Sequence, residues 1–347
     1  MHHANRRKIE AATVDSLFSV AGSYGDRLTF LTPPKPVNGG FSGATVLKAN
    51  CHGGDFAIRG WPEGTDLRRV RGLRRLLAHV AAGGVPVAVP LPNKRGETVT
   101  WHANRWWQVE PWLPGCADFH DVPTDAKLDA ALATLAAFHA ATSTFRALPD
   151  DAEWFGGPMF GAAPSVRDRS QLLAQLADRG AAMIRKNISP IDHSGFAQLA
   201  RHVMLAFDRL AITISGELRH GESLTVPLIP VLRDVWHDHI LFTQESVTGL
   251  IDPSACRRDT VAADLSRLLG SFVGDNHEGW RRGMEAYERH RSLTDAERTL
   301  MPILDRSGVL LSAMTWLRRH YLFDIACDTP AVVARLRAIV ERLDKMS

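Results

Sequence analysis

Leu232-Arg233-Asp234-Val235-Trp236-His237-Asp238-His239-Ile240-Leu241-Phe242, followed by Val247-Thr248-Gly249-Leu250-Ile251-Asp252, is the most informative stretch of the 347-residue chain. Ile240 to Thr243 and Val247 to Ile251 are short apolar runs of the kind that form strands. An aspartate lies on either side of them, Asp234 before and Asp252 eighteen residues later. Each has an ordinary explanation taken alone: Asp234 as a loop cap, Asp252 as a turn former before Pro253. The run His237-Asp238-His239 invites comparison with a zinc cluster. Three adjacent residues do not easily face one ion, and in a strand only positions 237 and 239 share a face. A further ligand would have to come from elsewhere, for example Asp252. A dedicated zinc site is therefore not expected, and hydrogen bonding within a loop is the commoner fate of such histidines.

The flanking chain divides in two. Before residue 110 the periodicities read as a short helix (Ala11 to Val20), then strand-like stretches at Leu28 to Leu31, Ala44 to Ala49 and Asp55 to Arg59. Between Asp66 and Val80, Leu67, Val70, Leu73, Leu77 and Val80 recur at helical spacing, which predicts an amphipathic helix stopped by Gly83-Gly84. Its other face carries five arginines and no acid. Two strands, Thr98 to Trp101 and Arg105 to Glu110, close this part. After the connector Pro111 to Gly115 the apolar pattern is mostly helical. Helices are expected over Ala126 to Ala141, Arg169 to Ile184, Phe196 to Ile214, Val261 to Val273, Trp280 to His290 and Ala331 to Leu343. Val226 to Asp252 interrupts them with short β-type runs. Leu148 to Asp168 reads as a long loop.

Composition narrows the function classes. At 45% hydrophobic and 23% charged residues the chain is ordinary globular protein, large enough for two domains. The net charge of +3 is too small to argue for nucleic acid. It is unevenly spread: residues 1–110 carry 15 Lys and Arg against 8 Asp and Glu, while residues 111–347 are net acidic. Nowhere is there an apolar run long enough to span a membrane, nor a signal-peptide core near the start. The four cysteines are scattered, with no CxxC, which points to a reducing, cytoplasmic setting.

The ordered motifs resemble the aminoglycoside phosphotransferase and choline kinase family. In that family a His-Gly-Asp catalytic loop precedes a metal-binding Asn by five residues, and an Ile-Asp metal motif follows a short hairpin. Here Asp234 takes the catalytic position, His239 stands where the Asn would be, and Asp252 ends the hairpin. Val261-Ala262-Ala263-Asp264-Leu265 is similar to the family's Ala-Tyr-Asp-Leu helix start. Glu110-Pro111-Trp112-Leu113-Pro114-Gly115 resembles its hinge, and Leu135 to His139 its Leu-x-x-Leu-His helix.

The resemblance implies an α+β, protein-kinase-like bilobal fold. A small β-rich N-lobe (1–110) would bind nucleotide, and a larger, mainly helical C-lobe (111–347) would carry the catalytic and metal-binding segments. It implies an ATP-dependent phosphotransferase acting on a hydroxyl of a small molecule such as an aminoglycoside, choline or a sugar. Gly39, Gly40, Phe41 and Ser42, in the Gly-rich turn Asn38 to Gly43, would cover the phosphates. Arg59, where the family has Lys, would pair with them, since its fork suits phosphate oxygens. Glu110 and Trp112 would flank adenine. Asp234 would orient the acceptor hydroxyl and take its proton. His239 and Asp252 would hold Mg²⁺, or Mn²⁺, which imidazole suits better. On the acceptor side the resemblance points to Asp150 to Phe160 and Gly274 to Arg282. The acids there would suit a cationic alcohol, although Arg281 and Arg282 lie among them.

Departures from the family cluster at one site: Arg59, the missing helix acid, Leu232-Arg233 before Asp234, His239, and Pro253 after Asp252. They define the alternative, a pseudokinase-like protein that binds nucleotide or ligand with impaired transfer. The expected partners are a small-molecule acceptor, with neither nucleic acid nor membrane; the sequence leaves the oligomeric state open.

Overall fold

The structure is a computed structural model that describes residues 17–37 and 43–346. Gly39, Gly40, Phe41 and Ser42, the proposed phosphate-covering turn, and most of the expected first helix lie outside the described residues. By contact density the chain forms two compact units: residues up to Gly156 together with Asp238–Ser254, and Gly157–His237 together with Ala255 onward.

In the first unit five antiparallel strands form one sheet: β1 (Lys35–Pro36), β2 (Thr45–Cys51), β3 (Gly54–Gly60), β4 (Thr100–His102) and β5 (Arg105–Pro111), in the order β1-β2-β3-β5-β4. Strand alternation explains which face is apolar. Leu47, Ala49, Phe56, Ile58, Trp107 and Val109 point to one side, where Leu17, Val20, Ala21 and Tyr24 of the helical residues 17–24 cover them. The opposite face of β3 and β5 therefore carries Arg59, Gln108 and Glu110. All three are buried.

The helix expected over Asp66 to Val80 runs Leu67–Ala82. Asp66 caps it, its carboxylate accepting the Arg68 N–H at 2.8 Å. Val70, Leu73, Leu76, Leu77 and Val80 form its buried stripe. Gly72 sits on that stripe where a side chain has no room. A Cβ there would lie 2.5 Å from the Cβ of Asp151, which is itself 2% exposed and ion-paired to Arg75 one turn further on. Gly72→Ala should therefore lower stability by about 1–3 kcal/mol, outweighing alanine's better helix propensity. A thermal melt that rises instead would show that Asp151 moves aside freely.

The hairpin Ile240–Thr243/Ser246–Leu250 belongs to this first unit. Backbone hydrogen bonds hold it on both sides. Cys116 and Phe242 exchange N–H···O bonds of 2.9 and 2.8 Å, and the Leu250 N–H donates to the Pro86 carbonyl at 2.7 Å. Gly115, at φ +99°, allows the close approach; a Cβ there would fall 2.6 Å from the Phe242 carbonyl oxygen.

The second unit is helical. The long helix Gly195–Ser223 packs against Pro164–Gln175, Asp295–Leu322 and Pro330–Lys345, and Asp295–Leu322 packs in turn on Val261–Val273. Sequence periodicity does not reveal Asp295–Leu322, because Pro302 reads as a breaker. Yet the helix continues through Pro302, started by a capping box in which Thr294 and Glu297 satisfy each other's backbone N–H. Its buried stripe of Leu300, Met301, Leu304, Leu310, Met314 and Leu317 supplies the packing that sustains it. The stretch 148–168 is more ordered than a loop. It contains a 3-10 turn at Pro149–Asp151 and a helical turn at Ala152–Phe155, and the next helix already begins at Pro164.

Candidate active site

Arg59 is 7% exposed in the first unit and has two carboxylate partners. Its Nε lies 3.4 Å from Glu110 Oε1, and its Nη1 lies 3.2 Å from Asp252 Oδ1. Strand register produces the first contact. Arg59 pairs with Gln108 and Ala57 with Glu110, so Arg59 and Glu110 are diagonal neighbours on one face. The helix that lacks an acid is thus compensated from the sheet. Sequence reading placed Glu110 beside adenine; its side chain is occupied with Arg59.

The electrostatics follow from burial and pairing. Burial pushes the Arg59 guanidinium toward deprotonation, but Glu110 and Asp252 together hold its pKa above the usual value. Burial raises Glu110 despite the pull of Arg59. Asp252 moves the other way. Although burial raises it, Arg59 and His239 keep its carboxyl below the ordinary range, so it is ionised.

Asp252 is held in place by its surroundings. The Ile251 N–H donates to the His239 carbonyl at 3.0 Å, and Arg69 Nη2 donates to the Ser254 carbonyl at 2.7 Å. Asp252 itself adopts φ +54°, a left-handed conformation that costs a non-glycine residue about 1–3 kcal/mol and is typical of functional sites. A small recess adjoins Arg59, lined by Trp61, Arg74, Glu110, Pro253 and Ser254 among others.

His237–His239 form a 3-10 turn, not a strand. Among the described residues no three His, Cys, Asp or Glu side chains gather as a metal site. The donor set at Asp252 still suits Mg²⁺, which is commonly held by one or two carboxylates, with phosphates and waters completing the shell. Trp112, also assigned to adenine, carries the Lys48 ammonium 4.5 Å from its ring centroid and donates its backbone N–H to the Asp55 backbone carbonyl at 3.0 Å.

Asp234 stands in the second unit, exposed, with its carboxylate ion-paired to Arg267. The loop before it is fixed by Asp264, a fully buried carboxylate that accepts the N–H groups of Leu232 (2.7 Å) and Arg233 (2.6 Å). Asp264 and Arg267 are one turn apart on the helix Val261–Val273. One helix face therefore holds both the backbone and the side chain of the loop.

Arg233 takes φ +64°, where the resembling family has glycine. Its side chain pairs with Asp168 at 2.6 Å and with buried Asp259 at 3.1 Å, contacts that offset the strain. Sequence reasoning missed Arg267 and the partner of Arg59. The only signal available was their charge, and many surface arginines share that.

Residues 34–299 match the model of the phosphotransferase enzyme family. The chain belongs to that family. A homoserine kinase from Beijerinckia indica is 26% identical to this phosphotransferase-family chain over 253 residues, covering 70% of the chain and 67% of the relative. A homoserine kinase from Rhodopseudomonas palustris is 29% identical over 113 residues, and the match spans only 34% of that relative.

Solved structures agree on the fold. A spectinomycin phosphotransferase in complex with ADP and spectinomycin superposes with a TM-score of 0.65 at 11% identity, covering 95% of this chain and 96% of that one. An amicoumacin kinase in complex with AMP-PNP and Ca²⁺ superposes with a TM-score of 0.62 at 15% identity, covering 98% and 96%. The expected α+β, kinase-like architecture, with a β-sheet N-terminal part and a helical C-terminal part, is the one this family member has.

Proposed function

We propose that the chain is an ATP-dependent phosphotransferase acting on a small-molecule hydroxyl. The observation that carries this reading is the buried Arg59 guanidinium bound to the ionised Asp252 at 3.2 Å. It sets a cation suited to phosphate oxygens beside a carboxylate suited to the metal. Residues 1–110 act as the nucleotide lobe, with Gly39, Gly40, Phe41 and Ser42 covering the phosphates and Trp112 beside adenine. Residues 111–347 supply Asp234, which orients the acceptor hydroxyl and accepts its proton. Asp252 and His239 hold the divalent ion, Mg²⁺ or Mn²⁺, which offsets phosphate charge when bound. The relatives bear kinase names, which favours transfer over the pseudokinase alternative. Among the described residues no helix is long and apolar enough to cross a membrane. Action in the cytoplasm, on a small molecule and not on nucleic acid, is part of the same proposal.

Calorimetric titration with ATP, with Mg²⁺, with Mn²⁺ and without metal, tests the assignment. Metal should tighten ATP binding in the wild type and have little effect in Asp252→Ala. Equal weak binding under every condition would return the chain to the class of binding modules.

A further inference from the structure

The acids that would welcome a cationic acceptor are already neutralised from within. In the first unit Asp151 pairs with Arg75, and Glu153 lies 3.8 Å from Arg68, whose field Asp150 also shares. In the second, Asp275 binds Arg342 at 2.8 Å and Lys345 at 3.5 Å, while Glu278 pairs with Arg281. A cationic substrate would have to break these pairs before using the carboxylates.

The surroundings of Asp234 have the opposite character. Arg233 is taken up by Asp168 and Asp259. Arg169 donates to the Leu304 carbonyl and to Ser307 Oγ, and burial together with nearby Arg267 draws its pKa down to about 10. Arg267 keeps donor capacity in hand. Its ion pair to Asp234 uses Nη2, and its side chain remains 37% exposed. A guanidinium clamped on the proposed base competes with the acceptor hydroxyl for that carboxylate. An acceptor that brings its own anion relieves the competition, because a carboxylate is the natural partner of a guanidinium.

We propose that Arg267 is the specificity residue of the acceptor site and that the acceptor bears a carboxylate close to the hydroxyl that is phosphorylated. This rests on the phosphotransferase reading. The acceptor carboxylate pairs with Arg267, and its hydroxyl faces Asp234. In the transfer the hydroxyl oxygen bonds to the γ-phosphorus of ATP. The bond from that phosphorus to the β,γ-bridging oxygen breaks, its electron pair leaving with ADP. The hydroxyl proton passes to Asp234 and then to water.

The test uses the full chain, with acceptor binding read by calorimetry and transfer by ADP release. Homoserine, glycerate and 4-hydroxybutyrate represent carboxylate-bearing acceptors; glycerol is neutral; ethanolamine and kanamycin are cationic. At least one carboxylate-bearing compound should bind and be phosphorylated in preference to the others. Arg267→Gln should raise its Kd and KM about tenfold or more, the scale of one lost charge-assisted contact, and leave ATP affinity unchanged. Arg267→Lys should recover part of the loss, a pattern that a merely structural role would not produce. Preference for glycerol, ethanolamine or kanamycin overturns the proposal. So does an Arg267→Gln variant, folded by its thermal melt, with unaltered affinity for the preferred carboxylate-bearing acceptor. Failure of every carboxylate-bearing compound to bind overturns it as well. Failure of the wild type to bind ATP is read separately and counts against the phosphotransferase assignment.

Discussion

Asp234→Asn leaves ATP binding intact and lowers the rate of phosphoryl transfer by about 10²–10⁴-fold, the range supplied by a positioned general base. The amide keeps the shape of the carboxylate and loses its capacity to take the proton. The fold should barely notice. Asp234 is 53% exposed on its side chain, and its ion partner Arg267 is also partly exposed. Such pairs contribute about 1 kcal/mol or less. The loop backbone is held independently by buried Asp264. Single-turnover measurement of ADP release, beside an ATP titration and a thermal melt, separates these effects. A variant that transfers at the wild-type rate would remove Asp234 from the mechanism.

The second large effect is expected at Arg59. Arg59→Ala leaves Glu110, 8% exposed, without its cation, and frees one oxygen of Asp252. Removing one partner of a buried ion pair costs about 3–5 kcal/mol, because the remaining charge stays buried and uncompensated. Denaturant unfolding should register that loss, and ATP affinity should fall with it. The pH dependence gives a further check. Arg59 holds Asp252 below its usual range. The stability from that pair is therefore present above the unfolded carboxyl value and lost as pH falls through the folded one. Arg59→Ala removes that acid-side loss. Glu110 has the opposite sign, because its folded value is raised: its ionisation costs stability as pH rises past the unfolded value. Glu110→Gln in the Arg59→Ala background should accordingly recover stability near neutral pH. Lack of recovery would mean that solvent reaches Glu110 once the arginine is gone.

Much of the fold was legible from local pattern. The helix Leu67–Ala82 announced itself through its apolar spacing, and Val261–Val273 appeared with the bounds its periodicity implied. Helix Asp295–Leu322 did not, because Pro302 obscures it and only packing against Gly195–Ser223 and Val261–Val273 supports it. The spacing of Asp234 and Asp252 around the hairpin is what singles them out as site candidates. The pairing of Glu110 with Arg59 was not legible. A glutamate before Pro111 looks like a hinge residue until the register sets it diagonally from Arg59.

The amino-acid sequence by itself determined the family, most of the strands and helices, and which carboxylates flank the hairpin, since these follow from residue type, period and short separations along the chain. Only the tertiary structure decided that Arg59 takes its acid from β5 and not from the helix that follows it, and that Asp234 rests against Arg267. Both pairs join residues dozens of positions apart. The first exists because β3 lies beside β5, although the Leu67–Ala82 helix and β4 intervene in the chain. The second exists because the helix that anchors the loop through Asp264 carries Arg267 one turn further on. Charge alone could not select these partners among 41 basic and 38 acidic side chains. Pairing of strands and burial of one helix face selected them.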